Sequence, residues 1–448
     1  MRTAQLLFCA LLFNIFPLST AVIASQSLTN SERVISAVVD DEMLKAEKLL
    51  EKVVNINSGT MNILGVKEVG AIFIEELNGI GFNTQWIDGS EFNRAGHLFA
   101  SRGSRGIKLL LIGHLDTVFA MNSHFQQFEK LDGNKVKGPG ITDMKGGDVV
   151  IIQALRALNK AGLLNDISIQ VVMTGDEEKR GLPHSIANKV LIESAKWADI
   201  AIGFEDGDGN PETAVVARRG SVNWKLDVTG RPAHSSQIFQ KDYGYGAILE
   251  ASRILTSFTN ELEPMKNLTF NPGLIVGGTD VTLDNQSANG TAFGKNNVIA
   301  QSVKVTGGIR ATSIEQLDQA KSKMQDIVNN NLLHTKASLS FSAGYPPMAP
   351  RDSNYQLLSI YNQVSLDLGY GKVSAVDPRK AGAADISFAA NYVLMSLDGL
   401  GLMGSGGHTD NEIADMNTFS MQIKRAAVLM HRLGEKRDLL LGDEQLDK

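Results

Sequence analysis

Several apolar runs in this chain stop abruptly at imidazole or carboxylate side chains. The first is Leu109-Leu110-Leu111-Ile112-Gly113-His114-Leu115-Asp116. The run reads as a buried strand, and His114 and Asp116, two apart, leave the same face of an extended backbone. A histidine oriented by a nearby carboxylate is a common pairing around zinc. Two further runs end in acids: residues 167–173 lead into Thr174-Gly175-Asp176-Glu177-Glu178, and residues 200–204 into Glu205-Asp206-Gly207-Asp208. Burying like charges together is costly unless cations hold them, so acids at successive strand ends point to a metal site. Glu177-Glu178 could instead be a solvated acidic turn. Asp206 and Asp208 compete with Glu205 as the third run's metal-binding acid.

For these side chains to meet, the strands must lie parallel in one sheet, with the ligand beyond their carboxyl ends. Helical spacing predicts helices over 40–54, 66–77, the stretch ending at 160, 355–368 and 416–432. Strands are expected at 84–87, 97–101 and 392–397. Before the helix ending at 160 stands Gly138-Pro139-Gly140-Ile141-Thr142-Asp143-Met144-Lys145-Gly146-Gly147. A second glycine-rich stretch ends in Gly406-Gly407-His408-Thr409-Asp410-Asn411-Glu412.

From residue 221 the pattern changes. Strand 221–228, helix 243–262, strand 268–276, strand 297–305, helix 314–333 and strand 337–343 give β-α-β-β-α-β, the ferredoxin-like order. Because α/β elements resume afterwards, this reads as an insertion. The expected fold is α/β: a mixed, mostly parallel sheet flanked by helices, with an inserted ferredoxin-like α+β domain. The expected divisions are 1–24 (signal peptide), 25–219 and 346–448 (the two parts of one catalytic domain) and 220–345 (the insertion).

A 448-residue chain with 43% hydrophobic content has room for more than one core. The net charge of −6, with no long basic run, argues against nucleic acid or an anionic membrane as partner. Arg2, an apolar run over 6–17 and Val22-Ile23-Ala24 read as an export signal cleaved after Ala24; an uncleaved anchor is the alternative. Export to a periplasm or outside the cell is therefore expected, with no membrane attachment after cleavage. Cys9, the single cysteine, lies in that leader, so a metal in the mature chain must use nitrogen and oxygen ligands.

His114-x-Asp116, Asp143 before Met-Lys-Gly-Gly, Glu177-Glu178, Glu205, and Gly-Gly-His408-Thr with Glu412 occur in this order in one family. The chain resembles the di-zinc metallopeptidases that include glutamate carboxypeptidase, aminoacylase, succinyl-diaminopimelate desuccinylase and tripeptide aminopeptidase. The resemblance spans nearly all of the mature chain, and the loop at 399–407 looks most like the glutamate carboxypeptidase branch. It implies two zinc ions per chain, one on His114 and Glu205, the other on Glu178 and His408, with Asp143 bridging. It implies that Glu177 is the general base that takes the proton of a water shared by the metals, leaving a hydroxide to attack, and that Asp116 orients His114.

The resemblance further implies a lid or dimerisation role for the insertion. There, Gly230-Arg231-Pro232-Ala233-His234 resembles the stretch whose histidine reaches across a homodimer to the oxyanion, and Asn297 and Arg310 match residues that contact the substrate and its carboxylate. Departures fall on the substrate side: Ala300 stands where proline is usual, Gly308 where an acid is usual, and Gly382-Ala383-Ala384-Asp385 replaces a Gly-Gly-x-Ser/Thr-Asp pattern. His97, His124, His184, His334 and His431 fall outside every motif and read as structural. The implied activity is hydrolysis of a peptide-like amide beside a C-terminal acidic residue. An N-acyl-amino-acid deacylase or desuccinylase is the alternative, and a binding protein without chemistry is a third reading. The implied partner is a small peptide or N-acyl amino acid.

Overall fold

The computed structural model describes residues 28–284 and 289–436. The expected leader at 1–24 and most of the charged C-terminal tail lie outside the described residues. Among the described residues, no helix is long and apolar enough to cross a membrane.

The larger sheet has six strands, in the order Asn83–Asp88, Gly96–Arg102, Ser168–Thr174, Lys108–His114, Ile200–Gly203, Met395–Leu397. Lys108–His114 runs parallel to both neighbours, Met395–Leu397 extends the parallel set, and the first two strands are antiparallel. The uninterrupted apolar run at 109–112 is explained by burial on both faces. Leu109 and Leu111 enter the larger core, whereas Leu110 and Ile112 enter a second core with Val172, Leu191 and Ala201. Helices Asn30–Val54, Gly146–Lys160 and Asn417–Glu435 pack together on the first side. Lys189–Trp197 and Ile386–Ala389 cover the other.

The first helix begins at Asn30 rather than at residue 40. Thr29 and Glu32 form a capping box at its start, and Ile35 and Val39 are buried along its added turns.

The smaller sheet orders its strands Thr269–Gly278, Ser302–Ala311, Gly220–Gly230, Thr335–Phe341, all antiparallel. Helices Gly246–Leu262 and Ile314–Asn329 cover one face, over a core of its own that includes Trp224, Leu226, Val228, Phe258 and Val305. Gly220–Gly230 alternates buried positions with half-buried or exposed ones, as a sheet packed on one face should. A hairpin, Asp280–Asp284 with Asn289–Phe293, was not anticipated.

The strand expected at 297–305 is a correction, because pairing begins only at Ser302. The backbone groups ahead of it bond to the turn after Gly230 and to the next helix. Ser235 N–H donates to Asn297 O (2.9 Å), Ile299 N–H to Ala233 O (2.9 Å) and Ala247 N–H to Ala300 O (2.9 Å). Two antiparallel bridges, Arg218 with Met348 and Ser221 with Tyr345, join the outgoing and returning connections between the sheets.

Candidate metal centre

Parallel register brings the charged strand ends together. His114 lies opposite Thr174, and Ile112 opposite Gly203, so the loops carrying Asp116, Glu177-Glu178 and Glu205 leave the sheet side by side. Asp143 reaches them from the turn Ile141–Lys145, which Glu412 pins from behind. The buried Glu412 carboxylate accepts the backbone N–H groups of Gly140 (2.8 Å), Thr142 (2.8 Å) and Asp143 (3.1 Å), and the Thr142 hydroxyl (3.2 Å). His408 comes from the loop between Gly404–Ser405 and Ile413–Asp415, with φ at +62°. Two residues earlier, Gly406 also has positive φ, and a Cβ there would lie 2.2 Å from the Asn411 carbonyl oxygen, so only glycine fits.

His114 is buried, and its Nδ1 lies 2.9 Å from the Asp116 carbonyl oxygen. A proton on Nδ1 for that bond leaves the Nε2 lone pair for a ligand. Nε2 faces Asp143 Oδ1 at 3.1 Å and Glu205 Oε1 at 3.6 Å. On the opposite side, His408 Nε2 lies 2.8 Å from Asp143 Oδ2 and 3.3 Å from Glu178 Oε2. Asp143 therefore turns one oxygen to each histidine. One atom each from His114, Asp143 and Glu178 lie within 4.8 Å of one another, the spacing a single cation needs. Glu178 Oε1 is buried without a hydrogen-bond partner. This donor set, all nitrogen and oxygen with an orphaned carboxylate oxygen, fits a divalent metal.

Of the acids competing with Glu205, Asp208 instead accepts from the Thr213 hydroxyl (2.5 Å). Burial, reinforced by Asp143, pushes Asp206 up to about 7.

The electrostatics express the same crowding. Burial raises Glu177 and Glu205 well above the usual carboxylate range, against the opposing charge of His114 and with help from neighbouring acids. Burial disfavours charge on His114, yet Glu205 and Asp143 lift it well above an ordinary histidine. Hydrogen bonds to Asp143 and Glu178 push His408 up to about 11. In the protein alone, protons balance these charges; a divalent cation among the same atoms would displace them.

Asp116 faces His114 through its backbone carbonyl more closely than through its carboxylate. Its carboxylate stands 3.6 Å from His114 Nδ1, farther than its own carbonyl oxygen. That carboxylate accepts the Thr60 hydroxyl (2.6 Å) and the backbone N–H groups of Glu177 (3.0 Å) and Glu178 (3.2 Å). It thus shapes the loop carrying the expected base and ligand. Burial, partly offset by His114, raises it to about 7.

A second support was missed entirely. Arg180 is held between Asp176 (2.6 Å) and Asp385, and also donates to the Tyr345 hydroxyl (2.9 Å). That hydroxyl donates to the Glu177 carbonyl (2.7 Å). Tyr345 lies on the returning connection between the sheets, so no spacing in the sequence links it to Glu177. His97 is structural as expected: its Nδ1 accepts Gly175 N–H (3.2 Å) and its Nε2 faces Ala187 O (2.9 Å).

The expected substrate contacts lie elsewhere, on the smaller sheet. His234 is exposed, and its ring contacts Ser236, with Nδ1 2.8 Å from the hydroxyl. Asn297 is exposed on the neighbouring loop. Arg310 is half-buried in Ser302–Ala311, opposite Ser221 and Thr269. Burial, and then the charges of Arg310 and Arg379, depress Arg219, which marks a cationic corner. Among the described residues, none of these three side chains bonds to the buried cluster.

The chain is similar to carboxypeptidase G2 from Pseudomonas sp. (strain RS-16), 27% identical over 422 residues, covering 93% of this chain and 96% of that protein. It is also similar to a probable succinyl-diaminopimelate desuccinylase from Staphylococcus aureus (strain MRSA252), 32% identical over 157 residues, covering 34% of this chain and 37% of that protein. In fold it matches the crystal structure of aminopeptidase PepT from Bacillus cereus ATCC 10987, with a TM-score of 0.67, 16% identity, and coverage of 90% of this chain and 99% of that one. With the profile of Peptidase family M20/M25/M40 matching residues 110–433 and a ligand triad at the parallel strand ends, this chain belongs to that family and is a metal-dependent hydrolase.

Proposed function

We propose that this protein is an exported exopeptidase that carries two zinc ions per chain and hydrolyses a peptide-like amide next to a C-terminal acidic residue. The observation that carries the two-metal reading is Asp143, whose two oxygens face His114 and His408 separately. His114 and Glu205 would hold one ion and Glu178 and His408 the other, both sharing Asp143. Zinc held by these residues would supply Lewis acidity, lowering the pKa of a water from 15.7 to about 7. Glu177 takes the attacking water's proton and passes it to the leaving amine. Asp116 and Tyr345 hold the Glu177 backbone for that transfer.

The carboxyl-terminal side of the substrate is assigned to Asn297 and Arg310. The cationic corner of Arg310, Arg219 and Arg379 supports an acidic leaving group. His234 is assigned to the oxyanion, contributed across a homodimer, which its exposure supports. We further propose that residues 220–345 form a ferredoxin-like lid and dimerisation domain between catalytic parts 25–219 and 346–448. Its helix and strand order, with two open sheet edges, supports this. Periplasmic or secreted localisation rests on the leader at 1–24.

Likeness to carboxypeptidase G2 over 93% of the chain supports a carboxypeptidase as the first reading. The partial likeness to a desuccinylase keeps an N-acyl-amino-acid deacylase as the second reading. Zinc-loaded protein assayed on peptidyl and N-acyl glutamates beside the corresponding neutral and succinylated amides separates them. Preference for glutamate as leaving group, abolished by a chelator, is expected; metal-dependent cleavage indifferent to that residue would overturn the assignment.

A further inference from the structure

Beside the metal centre, on the side built wholly by the larger sheet's loops, lies a cleft of about 500 Å³. Its walls continue the same chain segments that carry the site: Thr117 and Val118 follow Asp116, and Lys179 follows Glu178, which lines the cleft itself. Opposite stand Gly59 to Asn62, stitched to the first wall by Thr60 N–H to Thr117 O (3.1 Å) and Thr117 N–H to Ser58 O (2.9 Å). Asn57 Nδ2 ties the wall farther along, donating to Phe119 O (3.1 Å) and Ala120 O (3.2 Å).

Large apolar side chains stand exposed in this cleft: Met61 (57%), Val118 (39%) and Met121 (69%). A thioether-lined groove adapts to apolar ligands of varied shape. None of these residues is needed to build the metal site or the core, and their exposure calls for an occupant.

Amide hydrolysis places two substrate halves on opposite sides of the reacting carbonyl. Arg310 on the smaller sheet, with Arg219 and Arg379 close by and Asp377 only partly offsetting them, suits the acidic amine half. We infer that the cleft bounded by Met61, Val118 and Met121 is the acyl-side subsite, and that it takes an apolar group on that side of the scissile amide rather than a dicarboxylic one. This rests on the proposed amide hydrolysis and deepens it by naming the acyl class. Lys179 at the rim is the group that would favour a succinyl tail instead.

The test uses the full zinc-loaded enzyme and does not depend on the leaving group. Acetate, butanoate, hexanoate and succinate, the acids an acyl substrate would release, are titrated by calorimetry. Burying a methylene is worth about a threefold to fourfold gain in affinity, so binding should rise from acetate to hexanoate by at least about tenfold. In Met61→Glu and Met121→Glu, changes at exposed positions, the hexanoate-to-acetate ratio should collapse towards one. The same ladder should appear in kcat/KM for N-acyl glutamates. A flat ladder, tighter succinate than hexanoate, or ratios untouched in both variants would overturn the inference even with glutamate turnover intact. An intact ladder without glutamate turnover would support the subsite and sink only the leaving-group reading.

Discussion

Both regions of this molecule present histidines, and they treat them in opposite ways. At the carboxyl edge of the larger sheet, His114 is 1% exposed, with each ring nitrogen aimed at a defined oxygen. On the smaller sheet, His234 is exposed and its ring contacts only the neighbouring Ser236. The carboxylates follow the same division, for Glu412 and Asp116 each accept backbone N–H groups that fix a ligand loop. A metal site demands several donors in place before the ion arrives, so ordering is built into the chain. Groups that meet the substrate or a partner can wait for it, and their free positions are left uncommitted.

Removing the base should have the largest effect. Glu177→Gln deletes a proton carrier and no assigned ligand, so metal content should persist while kcat falls by about 10²–10⁴-fold. Glu178→Gln should instead lower metal content, and an exchange of the two phenotypes would reverse their roles. His234→Ala should lower kcat by about 10²–10³-fold with little change in KM, because its oxyanion arises only in the transition state. Mixing inactive Glu177→Gln chains with inactive His234→Ala chains should restore activity towards half that of wild type per heterodimer. No recovery after demonstrated subunit exchange would place His234 outside the neighbouring site.

Glu412→Gln should weaken metal binding by about 10–100-fold, read by competition with a chromogenic chelator, because the Asp143 turn loses its anchor. The smallest expected effect is at the link between the regions. Tyr345→Phe removes the hydrogen bond to the Glu177 backbone and the one accepted from Arg180, and kcat should drop by about tenfold with metal content unchanged. A change in KM alone would assign Tyr345 to substrate binding.

The same division governs what could be read from residue order. His114 and the acids of the 174–178 and 205–208 loops stand out because each follows an abrupt end of an apolar run, whereas the choice among those acids and the parts given to Asp143 and His408 rest on the family resemblance. The buried strands were legible too, since 109–112 has no polar interruption. Supports acting across distant segments left no such trace. Arg180 reads as one more surface charge until Asp385 and Tyr345 arrive from more than 160 residues away. Asp116 was identified, but its carboxylate's contact with the Glu177 backbone depends on strand register, which spacing alone does not fix. The loop at 297–301 reads as strand because Val298-Ile299 is apolar and β-branched. Its backbone hydrogen bonds go to the turn at Ala233 and the helix at Ala247, contacts that local propensity does not encode.

Crystals of the zinc-loaded protein, measured at the zinc absorption edge, test the two-metal centre most directly. Two anomalous peaks are expected on either side of Asp143, one against His114 and Glu205 and the other against Glu178 and His408. A single peak inside the His114, Asp143 and Glu178 triad, with Glu205 and His408 standing clear of it, would contradict the shared-carboxylate centre.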